Sequence, residues 1–378
     1  MFLYSCAVGS PKEWEGQSDS LRDIDPAGWD SIKKLAVEHG FLGLIARNLA
    51  WAKERTGISA PILPALESMR RGQLVQQLVQ RAAARRVMEA LEARHIEFIV
   101  FKGLVAAEEI YGDLSLRSFR DLDIMVRSGQ VTEACSVALE MGYTLRDFKH
   151  VQDYVRNGRQ AAQMSHADGT SVDLHWTLTF DLSTKEQMDL IWEGCRSSGE
   201  NRALPGSRLS HEMTLIHFAT HFQHHDYQEF KPLLDFHTAA RVLGEKVIAS
   251  DLICRAERLR LLPAVRMAAR LCKLHFSSSG LIDTLTTPKS TARERLACRF
   301  LTADRLLRAE NYSRRSDWLS RFFFSATPEL SLRSLRKLLM PRPGELEILF
   351  ARPFDVLMYP KYYGRRLQQA LTATKQAF

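Results

Sequence analysis

The order of apolar and polar residues changes character twice along the chain. From residue 21 to about 95, apolar residues recur at the three-to-four spacing of amphipathic helices. "DPAGWDSIKKLAVEHGFLGLIARNLAWAKERTG" closes on Gly57, and Pro61 and Pro64 interrupt the pattern. A long helix follows, with Leu66, Leu74, Leu78, Met88 and Leu91 as its expected buried stripe. Its polar side holds Arg81, Arg85 and Arg86, and alanines at 82–84 favour the helix.

At residue 96 the helical spacing gives way to short apolar runs. "IEFIVFKG" reads as a buried strand stopped by Gly103, and "LVAAEEIYG" as a short helix ending at Gly112. "RDLDIMV" is a second strand. "SGQVTEACSVALEMG" predicts a helix capped by Ser128 and closed by Gly142, and "YTL" adds a strand. In "AAQMSHADGTSVDLHW", Asp168-Gly169 predicts a hairpin with a two-residue type I′ turn. That turn sets Met164 opposite Asp173 and Ala162 opposite His175. Alternation puts Val172, Leu174 and Trp176 on one face, and Asp173 and His175 on the other.

From residue 207 the pattern is helical again. "SHEMTLIHFATHFQHHD" starts at a cap from Ser210 or Ser207, and "PLLDFHTAARVLG" follows. Pro341, Pro343, Pro353 and Pro360 break the last stretch into short pieces. The expected fold is α+β: a small mixed β-sheet core flanked by N-terminal and C-terminal helical regions. The expected boundaries are 1–95, 96–206 and 207–378.

The strands carry the chemistry. Asp121 and Asp123 stand two apart at the head of an apolar strand, where like charges repel unless a cation joins them. Asp173 is a third strand-borne acid. Three carboxylates converging from neighbouring strands suit a hard divalent ion such as Mg²⁺, which bridges phosphate oxygens.

Charge and cysteine content change this picture little. A formal charge of +8 and a pI near 9.2 favour an anionic partner. The six cysteines show no C-x-x-C spacing, as expected of reduced thiols in a cytoplasmic protein. "MFLYSCAVGS" lacks the basic start of a signal peptide, and no run approaches a bilayer span, so no integral membrane contact is expected.

Read in order, the pieces are "VFKG" (100–103), Tyr111, Arg117, "DLDIMV" (121–126), "VDLHW" (172–176), "LIHFATH" (215–221) and "PLLDF" (232–236). This order resembles the uncharacterised bacterial nucleotidyltransferase family, within the superfamily of DNA polymerase beta. The resemblance implies an enzyme moving a nucleoside monophosphate from an NTP, ATP among them, to a hydroxyl acceptor. The acceptor would be a small molecule, a peptide or RNA. It implies Mg²⁺ as cofactor, two ions with Mn²⁺ able to substitute, and a monomer is favoured. Asp121, Asp123 and Asp173 would be the catalytic, metal-holding acids. Gly103 would let the backbone approach the phosphates, and Lys102, Arg117 and Arg120 would neutralise them. His175, His217 and His221 would stand behind the site or touch substrate. The superfamily's serine after the turn glycine is missing here, where Lys102-Gly103-Leu104 stands.

Two other readings compete. One is a degenerate nucleotidyltransferase fold that binds nucleotide as a regulatory module. The other is a metal-dependent phosphohydrolase built on His217, His221, His224, His225 and Asp226, where 217, 221 and 225 stack at helical spacing. Residues 311–366 hold 11 Lys or Arg against 5 Asp or Glu, and "WLSRFFFS" adds an aromatic patch, a nucleic-acid or membrane-surface candidate with no recognisable module.

Overall fold

The computed structural model describes residues 24–302 except 58–59, 179–183, 197–203, 226, 228 and 277, together with Leu21, Leu306 and 358–363. Asp226, most of the basic stretch 311–366, its aromatic patch, and Pro341, Pro343 and Pro353 lie outside the described residues.

Three helices come first: α1 (Pro26–Glu38), α2 (Leu42–Thr56) and α3 (Leu63–Ala93). Asp25 caps α1 by accepting from the Gly28 N–H at 2.7 Å, with Pro26 at the first helical position. Gly57, at φ +68°, ends α2 in the left-handed conformation that glycine adopts without strain. Strand β1 (Phe98–Phe101) then leads into α4 (Gly103–Val105), which continues as a π-helical turn over Ala106–Ile110. Next come β2 (Leu122–Val126), a 3₁₀ turn (Ser128–Gln130), α5 (Val131–Glu140), β3 (Thr144–Leu145) and α6 (Val151–Arg156). The hairpin is β4 (Ala161–Ser165) and β5 (Ser171–His175), followed by α7 (Lys185–Glu193) and β6 (Ser207–Arg208). Helices α8 (His211–His224), α9 (Phe230–Leu243), α10 (Ala249–Arg258), α11 (Leu262–His275), α12 (Gly280–Thr286) and α13 (Ala292–Phe300) follow, and residues 358–363 form a further helical turn. Among the described residues, no helix is long and apolar enough to cross a membrane.

The strands form one mixed sheet in the order β3-β4-β5-β2-β1-β6. β2 lies at its centre, antiparallel to β1 and parallel to β5. Alternation along the strands decides what each face meets. Phe98, Val100, Leu122, Ile124 and Val126 face a core closed by α5 and the second half of α3. Ile99, Phe101 and Met125 face the opposite way, into a larger core shared with α1, α2 and the helices from α8 onward. Asp123 belongs to this second face, so the acids point toward the C-terminal helices.

Four local expectations are corrected. The hairpin turn has three residues between its last paired positions. His166 N–H bonds to the Thr170 carbonyl at 2.9 Å, and Gly169 N–H to the His166 carbonyl at 3.0 Å, with Gly169 at φ +85°. Asp168 pins the turn by accepting from Thr170 N–H and Oγ1. The extra residue shifts the register by one, so Gln163 faces Asp173 and Met164 faces Val172. This register keeps Ala162 and Met164 in the core, which the two-residue turn would not.

The predicted stripe of α3 fails at its middle. Leu66, Met88 and Leu91 are buried, but Leu78 is 47% exposed, Val75 61% and Val79 49%, while Gln77 and Gln80 are buried. Gln80 exchanges two bonds with the backbone of Ser171, donating to its carbonyl at 2.7 Å and accepting from its N–H at 3.2 Å. Backbone groups at the start of β5 thus outweigh the apolar side chains in setting how the helix is rotated. Ser128 opens the 3₁₀ turn rather than capping α5, whose cap position is Gln130. The sheet also reaches past the expected boundary at 206, because β6 pairs with β1 through Ile99↔Ser207 and Val100↔Arg208.

Candidate functional site

The site is built on neighbouring strands. β2 and β5 run parallel in a register that sets Asp123 beside Asp173 and Met125 beside His175. Asp173 and His175, two apart, share the face that carries Asp123. Among the described residues, Asp123, Asp173 and His175 are the group whose ligand atoms all lie within 4.8 Å of one another. Asp121 stands outside this group. The strand starts at Leu122, so Asp121 sits in the bend before it rather than on the pleat.

Asp123 is the pivot. It is 1% exposed, and its Oδ1 accepts from Lys102 Nζ at 2.9 Å and lies 3.2 Å from His175 Nε2. Its Oδ2 is buried with no hydrogen-bond partner. Burial works to raise the Asp123 pKa, but Lys102 and then His175 overcome it and hold the group well below the usual carboxylate range. Asp121 goes the other way: burial first, then the charge of Asp123, pushes it up to about 6. Asp173 is also raised, by burial and by Asp123, and Gln163 Nε2 reaches its Oδ2 at 3.4 Å. Burial would lower Lys102, but Asp123 and Asp121 raise it, so its ammonium balances the acids.

Lys102 has φ +64°, an uncommon region for a residue with a Cβ. Gly103 follows at the start of α4. A Cβ there would lie 2.8 Å from Phe119 Cβ and 3.1 Å from Arg117 Nη1. The glycine is therefore required by the chain packed over it, a nearer reason than the approach of a phosphate.

Arg117 is corrected as a phosphate ligand. Its guanidinium is buried and clamps Asp235 on α9, Nη2 to Oδ2 at 2.7 Å and Nε to Oδ1 at 3.3 Å. The Tyr111 hydroxyl donates to the same Asp235 at 2.9 Å. Fully engaged and dry, this arginine fixes the segment ahead of β2 against the C-terminal helices. Arg120 is exposed, next to Asp121, and carries no ion pair among the described residues. Sequence reasoning missed Lys231, on the first turn of α9. Its ammonium donates to the Ser118 carbonyl at 2.8 Å and Ser118 Oγ at 3.2 Å, and burial and then Arg117 push its pKa down to about 7. Gln163 was missed because the wrong turn length moved it out of register. Asp235 and Tyr111 were visible in the ordered pattern, but nothing local joins two residues 124 positions apart.

The histidines form an aromatic wall. Phe101 lies edge-on to His175 at 5.1 Å and to His217 at 5.0 Å. His217 stacks on His221 at 5.8 Å, which meets His225 edge-on at 4.6 Å. His217 is buried with no hydrogen-bond partner for either ring nitrogen, and burial and then Lys102 hold its pKa down to about 3. His221 is likewise pushed well down, chiefly by burial. Among the described residues this ladder brings no three ligand atoms together, so it assembles no metal site of its own.

The family model for uncharacterised nucleotidyltransferases matches residues 25–277, about two thirds of the chain. The chain belongs to this nucleotidyltransferase family. The match spans the three N-terminal helices, the sheet and the helices through α11, so all the site residues fall inside it. No curated protein matches. One solved structure that is similar is the solution structure of the antibiotic-resistance factor ANT(2'')-Ia, at 13% identity and a TM-score of 0.35. It covers 53% of this chain and 98% of that one. The family match, and not this likeness, carries the assignment. Within a nucleotidyltransferase, a buried acid with an orphaned oxygen beside a second acid and an imidazole fits a divalent cation by charge and by donor type.

Proposed function

We propose that the protein transfers a nucleoside monophosphate from an NTP to a hydroxyl acceptor, releasing pyrophosphate. The observation that carries this reading is the group of Asp123, Asp173 and His175, one ligand atom of each lying within 4.8 Å of the others, beside a buried Asp123 Oδ2 that has no hydrogen-bond partner. Asp123 and Asp173 would hold the ion, with Asp121 standing beside them in the bend before β2. A divalent ion at this position supplies charge stabilisation to the phosphate oxygens and lowers the pKa of an attacking hydroxyl.

The chain's own groups do the rest. Lys102 neutralises the acids before nucleotide arrives and would then meet the phosphates from the turn at the head of α4. Arg120, exposed at the rim, offers a second cation. Asp173, on the strand beside Asp123, would hold the ion or accept the proton of the acceptor hydroxyl.

The test is a screen with each labelled NTP and a panel of hydroxyl acceptors, comparing wild type with Asp121→Asn/Asp123→Asn and with Asp173→Asn. The expected outcome is label transfer and pyrophosphate release with at least one NTP, reduced by about a thousandfold or more in the double variant. Unchanged transfer in the double variant would sink the reading.

A further inference from the structure

Strand alternation delivers His175 to the acids as surely as it delivers Asp173. Its Nε2 lies 3.2 Å from Asp123 Oδ1, and its Nδ1 is buried without a partner. The edge of the Phe101 ring fixes the imidazole from one side. Around a small dication with bonds of ~2.1 Å, ligand atoms stand ~3 Å apart when adjacent and ~4.2 Å apart when opposite. One atom each from Asp123, Asp173 and His175, all within 4.8 Å, already lies close to that spacing. Lys102 occupies Asp123 Oδ1, which leaves Oδ2 as the oxygen of that carboxylate without a donor.

We propose that His175 is itself a ligand of the divalent ion, joining Asp123 and Asp173 through a ring nitrogen, and that the site therefore prefers Mn²⁺ to Mg²⁺. This rests on the reading above only in requiring an ion at the acids. Mg²⁺ is bound almost wholly through oxygen, whereas imidazole nitrogen strengthens binding of later first-row ions. Asp121 then has a different part: it stands outside the three-ligand group, in the bend before β2.

Full-length protein, stripped of metal, is titrated with Mn²⁺, and the bound ion is examined by pulsed electron paramagnetic resonance. Wild type is expected to show coupling to one directly bound ¹⁴N, and His175→Gln to lose it. Glutamine keeps a hydrogen-bond donor toward Asp123 but offers no ring nitrogen. His175→Gln is expected to weaken Mn²⁺ binding about tenfold or more, and Mg²⁺ binding by less, so that the preference between the ions narrows. Bound Mn²⁺ without nitrogen coupling in wild type overturns the proposal while leaving nucleotidyl transfer intact. Equal weakening of both ions also overturns it, reducing His175 to a residue that positions Asp123. No Mn²⁺ binding at all removes the ion from both readings. Circular dichroism checks the variant's fold, and the wild-type spectrum decides by itself if the variant does not fold.

Discussion

Lys102 bears more constraints than its neighbours. It holds a left-handed backbone angle, starts a helix and donates to the buried oxygen of Asp123. If its ammonium stands in for an ion, Lys102→Met leaves a buried carboxylate uncompensated, at a cost of about 3 kcal/mol. A divalent ion then restores what the lysine supplied. Urea unfolding of the variant is expected to show that loss without Mn²⁺ and little loss with saturating Mn²⁺. An equal deficit under both conditions would refute the stand-in role. At this scale the shared face of Asp173 and His175 was legible, because alternation along one strand places side chains without help from the rest of the fold, and the β2–β5 register brings Asp123 beside them. It misjudged Arg117, because a cation near acids looks the same in sequence whether its partner is a phosphate or Asp235, 118 residues on.

At the scale of elements, the two clearest departures have a common cause. Helix α3 and the β4–β5 hairpin are both set by backbone hydrogen bonds that apolar periodicity does not record. Gln80 grips the backbone of Ser171, and Asp168 with Gly169 adds one residue to the turn. The consequence can be measured as an inversion of the usual expectation. Gln80→Leu, an apolar substitution at a buried site, is expected to destabilise by about 1–3 kcal/mol by leaving Ser171's backbone unpaired. Leu78→Gln, a polar substitution in the apparent apolar stripe, is expected to stay within about 0.5 kcal/mol of wild type. Denaturant unfolding of both variants checks the rotation of α3, and the reverse ranking would contradict it. The strands themselves and most of the helices were legible, since their patterns are local and their ends carry glycine, proline or a capping side chain.

For the whole molecule, acid sensitivity follows from histidines kept neutral. His237, beside Asp235's turn of α9, is 1% exposed with both ring nitrogens unpaired, and burial and then Arg241 hold its pKa down to about 3. Between that value and the ordinary 6.5, the unfolded chain takes up a proton that the folded chain refuses. Stability is therefore present above about pH 6.5 and is lost as pH falls toward 3, at about 1.4 kcal/mol per pH unit for each such group. His237→Leu is expected to flatten the slope of unfolding free energy between pH 6 and 4 by about that amount, read from urea titrations at several pH values. An unchanged slope would mean that His237 protonates in the folded state.

The Arg117–Asp235 clamp also sets an order of events. A ribosome has made the acids of β2 and β5 before it reaches Asp235, 62 residues beyond Asp173. At about 5–20 residues per second, that is a wait of several seconds. During it, Tyr111 and Arg117 lack the carboxylate of Asp235, and the turn carrying Asp121 has no clamp to α9. The nascent sheet can register its strand-borne acids early, but the segment ahead of β2 gains its clamp only when α9 arrives, so a polypeptide stalled before that helix carries the acids without the anchored turn.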